Sequence, residues 1–409
     1  MMPLRPRTAL LHYSAPPGIG GVESVLRRHA ELLADHGYPV RVLAGRGEAW
    51  DARIPLDVLA LLDSQNPEIL AAKRELDAGR VPAEFESLIA RIREGLAEPL
   101  AAVDVLLAHN VCSLHKNLAL TAAMQRIQRE AGGMRIVLWH HDLAWTAEAY
   151  RGELHAGWPW ELLATDWGAE HVTVSAARRS ELSELMNIDP THVTVIPNGI
   201  DAARRLGLSP ETEAIVDRLD LLRADPILLI PVRITRRKNL ELALRTCAFL
   251  RQAFPEIALL VTGPPGPHNP ANRAYLDGLV ELRAELGLEH RVHFLAQGQS
   301  RPLSDEVICE LYRLADALFL PSREEGFGIP ILEASIVRLP IFCADIPSLR
   351  ELGGEEVEYF SPDAAPQEVA RQIAARLRSD RAYARAVRVR RSNDWEAIFM
   401  RQIEPLVQR

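Results

Sequence analysis

Residues 8–45, TALLHYSAPPGIGGVESVLRRHAELLADHGYPVRVLAG, switch the period of their apolar side chains twice. TALLHYS is a short apolar strand, and PPGIGG is a glycine-rich turn. VESVLRRHAELLADHG then places apolar residues at helical spacing and closes on a glycine, as helices commonly end. PVRVLAG is a second strand. Strand, helix, strand in that order is a βαβ unit, which predicts a parallel sheet with right-handed crossovers.

The same alternation continues outward. VDVLLAHN (103–110), RIVLWHHD (135–142) and HVTVSAA (171–177) read as further strands, each running into polar residues. Between Asp51 and Leu100 the pattern is mostly charged helix, with AEFESLIARIREGLAEPL (83–100) the clearest stretch. Its polar face mixes both signs, so it reads as packing against the first domain and not as a membrane anchor. A second series begins near VTVIPNGID (193–201), with strands PILLIPVR, IALLVTG, RVHFLA, ALFLPS and LPIFCAD and helices such as NLELALRTCAFLRQAF between them. The expected fold is α/β, with two Rossmann-like doubly wound domains in tandem, residues 1–195 and 196–392. Ligands of such sheets bind outside the carboxyl ends of the strands, so two of them facing each other would leave a cleft.

The 409 residues exceed one ordinary core, and 48% hydrophobic with 25% charged residues is a globular composition. A net charge of −8 argues against a nucleic-acid partner, which calls for a basic footprint. That sum leaves room for a local basic patch against a membrane surface but does not indicate one. Cys112, Cys247, Cys309 and Cys343 lack metal-ligand or redox-motif spacing and read as isolated buried thiols. The opening MMPLRPRTALLHYS is basic and then apolar, too short for a signal peptide or membrane span, which points to the cytoplasm.

Two strand exits carry chemistry. In ALFLPSREEGFGIPILEASIV, the strand ALFLPS runs into the loop REEGFG, and a helix begins at IPILEASIV. Pro330 suits a first helical turn, Gly326 and Gly328 allow close backbone approach, and the helix start is a ready anion site. Glu333 is expected on that first turn and Glu325 on the loop, so both can face one ligand. The plain alternative makes Glu333 a partner of the helix dipole and Glu325 a solvated charge. PVRITRRKN (231–239) places Arg233, Arg236, Arg237 and Lys238 at the exit of another apolar strand, a pattern suited to clamping a diphosphate. A solvated basic turn is the alternative there, weakened by the presence of two anion-seeking loops in one domain.

Together these stretches resemble the retaining glycosyltransferases of family GT4, which have the GT-B fold. The resemblance rests on the E-x7-E motif from Glu325 to Glu333, on Arg233 and Lys238 five apart, and on IPNGID (196–201). GIGGVE (18–23) matches the family's first glycine loop, and HHDLAW (140–145) its His-Asp step at His141 and Asp142. It implies that Arg233 and Lys238 neutralise the diphosphate of a nucleotide sugar and that Glu333 binds the ribose. Glu325 and His141 would contact the transferred sugar, with backbone N–H groups of Gly326, Phe327 and Gly328 assisting. Gly20 and Gly21 would let the first domain close over the diphosphate and acceptor, and a C-terminal helix, 393–409, would return to the first domain. No Asp-x-Asp metal motif is present, so the reaction is expected to need no metal and no cofactor beyond the donor. GDP-mannose is favoured slightly over UDP-glucose on resemblance alone.

Two departures stand out. Val232 occupies the family's usual glycine before the clamp arginine, and TGPPGPHNPANRAY (262–275) replaces a shorter glycine turn where the base would lie. The polar loop HNVCSLHKN (109–117) makes His109, Asn110 and Lys116, with Asp142, candidates for binding a hydroxylated small-molecule, glycan or lipid-linked acceptor, and Lys116 would best fit an acidic one. Trp139, Trp145, Trp158 and Trp160 read as ordinary packing. An NAD(P)-dependent oxidoreductase is the first rival, because GIGGVE begins like a dinucleotide fingerprint; it ends on Glu23 and leaves the second domain unused. A non-catalytic nucleotide-sugar binder and another GT-B enzyme, such as an epimerase or phosphorylase, are the others. Oligomeric state is not legible.

Overall fold

A computed structural model describes residues 5–18, 20–130, 132–267, 269–297 and 302–409; Ile19 of the first glycine loop and His268 of the proline-rich stretch lie outside them. The chain divides into two compact units, Met1–Gly199 with Trp395–Arg409, and Ile200–Asp394.

The first unit is built on β1 (Thr8–His12), β2 (Val40–Ala44), β3 (Leu56–Val58), β4 (Val105–His109), β5 (Arg135–His140), β6 (Glu170–Thr173) and β7 (Val193–Val195). They form one parallel sheet in the order β3-β2-β1-β4-β5-β6-β7, with Thr8 facing Val40 on one side and Val105 on the other. Helices α1 (Gly21–Asp35), α2 (Pro67–Asp77), α3 (Phe85–Leu100), α4 (Leu118–Glu130) and α5 (Ala176–Met186) connect the strands. Every residue of β1 and β4 is buried, as strands covered on both faces must be.

The second unit carries β8 (Ile227–Ile230), β9 (Ala258–Val261), β10 (Val292–Phe294), β11 (Ala317–Leu320), β12 (Ile341–Ala344) and β13 (Glu358–Phe360) in the order β10-β9-β8-β11-β12-β13, again all parallel. Its helices are α6 (Ala202–Leu206), α7 (Pro210–Arg218), α8 (Leu240–Ala253), α9 (Ala271–Glu285), α10 (Asp305–Leu314), α11 (Ile329–Ile336), α12 (Pro347–Gly353), α13 (Pro366–Ser379) and α14 (Arg381–Ser392).

In each sheet the strand order reverses direction beside the first strand of the unit, at β1/β4 and at β8/β11. Those are the switch points where the connections leave to opposite sides and a crevice opens at the carboxyl ends. Four of the polar loops singled out from the sequence follow these strands, while the His141-Asp142 step follows β5 and the proline-rich stretch follows β9.

Several expectations need correction. Val193–Val195 closes the first sheet and does not begin the second, because it pairs with β6. The short strands β3 and β13 carry too few residues for a period to be read. Cys309 is exposed, unlike the other three cysteines. As expected, the tryptophans serve packing: Trp139 and Trp160 are core residues, and Trp145 and Trp158 pack against the cluster that holds Trp160.

The C-terminal segment from Trp395 packs in one core with Leu10, Val105 and Trp139 of the first unit. IPNGID serves this crossing of the chain. A Cβ on Gly199 would meet the Trp395 ring at 2.5 Å, while Ile200 N–H donates to the Asn393 carbonyl at 2.7 Å. Among the described residues no helix is long and apolar enough to cross a membrane.

Candidate active site

In the second unit the exits of β8 and β11 meet. Lys238, on the short turn before α8, donates to Oε1 of Glu325 on the loop after β11, and Ser322 Oγ donates to the same oxygen at 2.8 Å. Both side chains of the ion pair are only 9% exposed, so Glu325 is not the solvated loop charge of the plain alternative. Burial holds the Lys238 ammonium below the usual lysine pKa, against the opposing pull of Glu325. Part of the positive charge expected to face a diphosphate is therefore already engaged by a carboxylate. Arg233 is exposed at the head of the same loop, and among the described residues it has no ion pair.

The backbone explains the position of Arg233. Gly263 lies against it so closely that a Cβ there would meet the Val232 carbonyl oxygen at 2.3 Å and Arg233 Cα at 2.7 Å. Ile234 N–H donates to the Pro264 carbonyl at 3.0 Å, and Gly266 N–H to the Ile234 carbonyl at 3.1 Å. The two departures noted in the sequence are thus one structure: the segment with Val232 and the proline-rich stretch bridge each other at Ile234 and Pro265.

The loop after β11 ends at Gly328, whose φ of +101° and whose position against Leu349, 2.7 Å from where a Cβ would be, exclude a side chain. Gly326 has open space around it, and Phe327 is exposed. Ser348 Oγ, on α12, donates to the Glu325 carbonyl at 2.9 Å and fixes the loop from behind. Glu333 lies on the second turn of α11, one turn later than expected, because the helix begins at Ile329. Its Oε2 accepts from the buried Tyr312 hydroxyl at 2.6 Å. Tyr312 is a site residue that sequence reading missed; an aromatic on the apolar face of α10 is indistinguishable from core until its partner is known.

In the first unit a cavity of about 540 Å³ opens at the β1/β4 switch point, lined by Gly20, Gly21, Asn110, Lys116 and Asp142 among others. Asn110 adopts the left-handed region (φ 59°), and its Oδ1 accepts from the N–H groups of His141 and Asp142 at 3.0 and 3.1 Å. Its first duty is thus to hold the His-Asp step. The sequence placed His109 among acceptor contacts, but it is fully buried, stacked on Trp139, with Nδ1 3.4 Å from His141 Nε2. The pKa of His141 is pushed down to about 4 by burial and then by His12, so its imidazole is neutral near pH 7 and acts through hydrogen bonds.

Two sequence models cover most of the chain: "Glycosyltransferase Family 4" matches residues 19–204, and "Glycosyl transferases group 1" matches residues 212–392. The chain belongs to glycosyltransferase family 4. Among curated members, the mannosylglucosylglycerate synthase of Petrotoga mobilis is 26% identical over 293 residues, covering 67% of this chain and 66% of its own length. A D-inositol 3-phosphate glycosyltransferase of Salinispora tropica is 31% identical, covering 63% of this chain and 55% of that one. The one from Nocardia farcinica is 29% identical, with 82% and 72% covered. The chain thus spans less than two thirds of the length of the first two of these family 4 members. Among solved structures, sucrose-phosphate synthase from Thermosynechococcus elongatus aligns over 99% of both chains with a TM-score of 0.39 and 19% identity.

Proposed function

We propose that this family 4 chain transfers a hexose from a nucleoside-diphosphate sugar to a hydroxyl of an acceptor, keeping the donor's anomeric configuration and using no metal. The observation that carries this is the meeting of Lys238 and Glu325 between the exits of β8 and β11, with Arg233 at the head of the same loop and α11 starting at its end. Breaking the anomeric C–O bond places negative charge on the departing diphosphate and positive charge on the sugar. Arg233, Lys238 and the first N–H groups of α11 supply fixed positive charge for the former without reorganisation. Glu325, anchored through one oxygen by Lys238 and Ser322, keeps the other for the sugar ring. Glu333, held by Tyr312, offers its remaining oxygen to the ribose hydroxyls.

GDP-mannose is the donor we place first, with UDP-glucose second; the mannosylated product in the name of the Petrotoga mobilis relative supports that order. A thermal-shift series with UDP, GDP, UDP-glucose and GDP-mannose tests it. A ligand at a hundred times its Kd stabilises a fold by about 2.7 kcal/mol, well within detection. Stabilisation by UDP and not GDP reverses the order of donors. Stabilisation by none of them, or release of nucleoside diphosphate at the same rate with and without any acceptor, refutes transfer.

A further inference from the structure

The cavity of the first unit is built asymmetrically. On one wall is His12, at the end of β1, with 6% of its side chain exposed. Its Nδ1 lies 2.7 Å from the His109 carbonyl oxygen, which can only accept, so that nitrogen carries the proton. Nε2 is then a bare lone pair. Among the described residues its nearest ionic neighbour is Glu23 Oε1 at 3.8 Å, too far for a hydrogen bond. Glu23 in turn accepts from Ser14 Oγ at 2.7 Å. Two hydrogen-bond acceptors therefore sit side by side on the cavity wall and lack a shared donor, and a ligand hydroxyl provides one.

Other walls carry Arg46, Lys73 and Lys116. Arg46 is paired with Asp63, and Lys73 donates to Asp77 at 2.6 Å and Glu153 at 2.8 Å. Lys116 is exposed and, among the described residues, has neither a hydrogen bond nor an ion pair. It stands just before α4, where the helix dipole disfavours a cation, and among the described residues only the longer-range field of Glu23 offsets its charge. The volume of about 540 Å³ suits a small polyol.

We propose that this cavity is the acceptor site and takes a polyol bearing a phosphate or carboxylate, with a hydroxyl shared by His12 and Glu23 and the anionic group on Lys116. The word acceptor rests on the transferase reading; the ligand chemistry rests on the cavity alone. Binding of glucose 6-phosphate, sn-glycerol 3-phosphate and myo-inositol 1-phosphate, each beside its uncharged parent, tests it by calorimetry on the full chain. At least one ester binds at least tenfold tighter than its parent, because a charge-assisted contact is lost with the phosphate. Lys116→Ala removes that advantage and Lys116→Arg retains most of it, while affinity for UDP and GDP is unchanged in both. Glu23→Gln weakens the ester but not inorganic phosphate. Equal binding of ester and parent, or an unaltered ester affinity in Lys116→Ala, overturns the proposal. So does a loss in Lys116→Ala confined to UDP and GDP, which would make the cavity a seat for the donor's diphosphate. If wild-type protein binds an ester but neither nucleotide, the transferase reading fails and the anionic-polyol site stands.

Discussion

Lowering the pH should unfold the first unit before any catalytic group is exhausted, and His29 is the residue that exposes the cause. It lies on α1, fully buried, edge-on to Trp139 with ring centroids 4.7 Å apart and to Trp395 at 5.3 Å. Among the described residues neither ring nitrogen has a hydrogen-bond partner. Burial, followed by the nearby His141, pushes its pKa from 6.5 down to about 3. The folded state thus holds a neutral imidazole, whereas the unfolded chain takes up a proton below about pH 6.5. Stability is intact above that value and falls with pH by about 1.4 kcal/mol per unit until the folded pKa is reached. Between about pH 7 and about pH 5 the loss from His29 is about 2 kcal/mol. His141, held down to about 4, adds a similar amount. Together these approach half the stability of an ordinary domain, roughly 5–15 kcal/mol.

The assay is selective by construction. All seven tryptophans, at positions 50, 139, 145, 158, 160, 167 and 395, belong to the first unit, so intrinsic fluorescence during urea unfolding follows that unit alone. His29→Leu replaces the imidazole with an apolar group that cannot titrate. Its loss of stability between about pH 7 and about pH 5 should be smaller than wild type by about 2 kcal/mol. An unchanged pH dependence in the variant would show that His29 takes up its proton equally in both states, and the burial argument would fail.

Tyr312→Phe, which frees the Glu333 carboxylate, should weaken nucleoside diphosphate affinity about tenfold, the value of one hydrogen bond to a charged group, while kcat stays near wild type. Combined with Glu333→Gln it should add little; additive losses measured by calorimetry would mean that Tyr312 acts elsewhere. Arg233→Ala and Lys238→Ala should each lower kcat by roughly 10²–10³, the usual effect of removing one fixed stabilising charge, and wild-type turnover in both would end the diphosphate assignment. Activity should survive excess EDTA, and complete loss restored by magnesium or manganese would refute fixed protein charges as the stabiliser of the leaving group.

What the sequence determined by itself is local in origin. Apolar runs such as Leu228–Ile230 and Phe319–Leu320, buried on both faces, and the helical spacing of Val25, Leu26, His29, Leu32 and Leu33 declare strand and helix within a few residues. Their alternation dictates parallel α/β sheets, and the glycine, proline and charged residues at strand exits mark where a ligand would be met. The tertiary structure decided what those residues do to one another. Lys238 and Glu325 are 87 positions apart and meet because β8 lies beside β11. Strand order also puts β7 at the edge of the first sheet and sets His12 and Glu23 on the same cavity as Lys116. Local propensity carries no information about which strand becomes a neighbour, since that choice is settled by burying many apolar faces at once. Hence the charged exits could be read as a site from the chain, but the partners that fix Glu325, Glu333 and Asn110 and leave Lys116 without one could be read only from the packed fold.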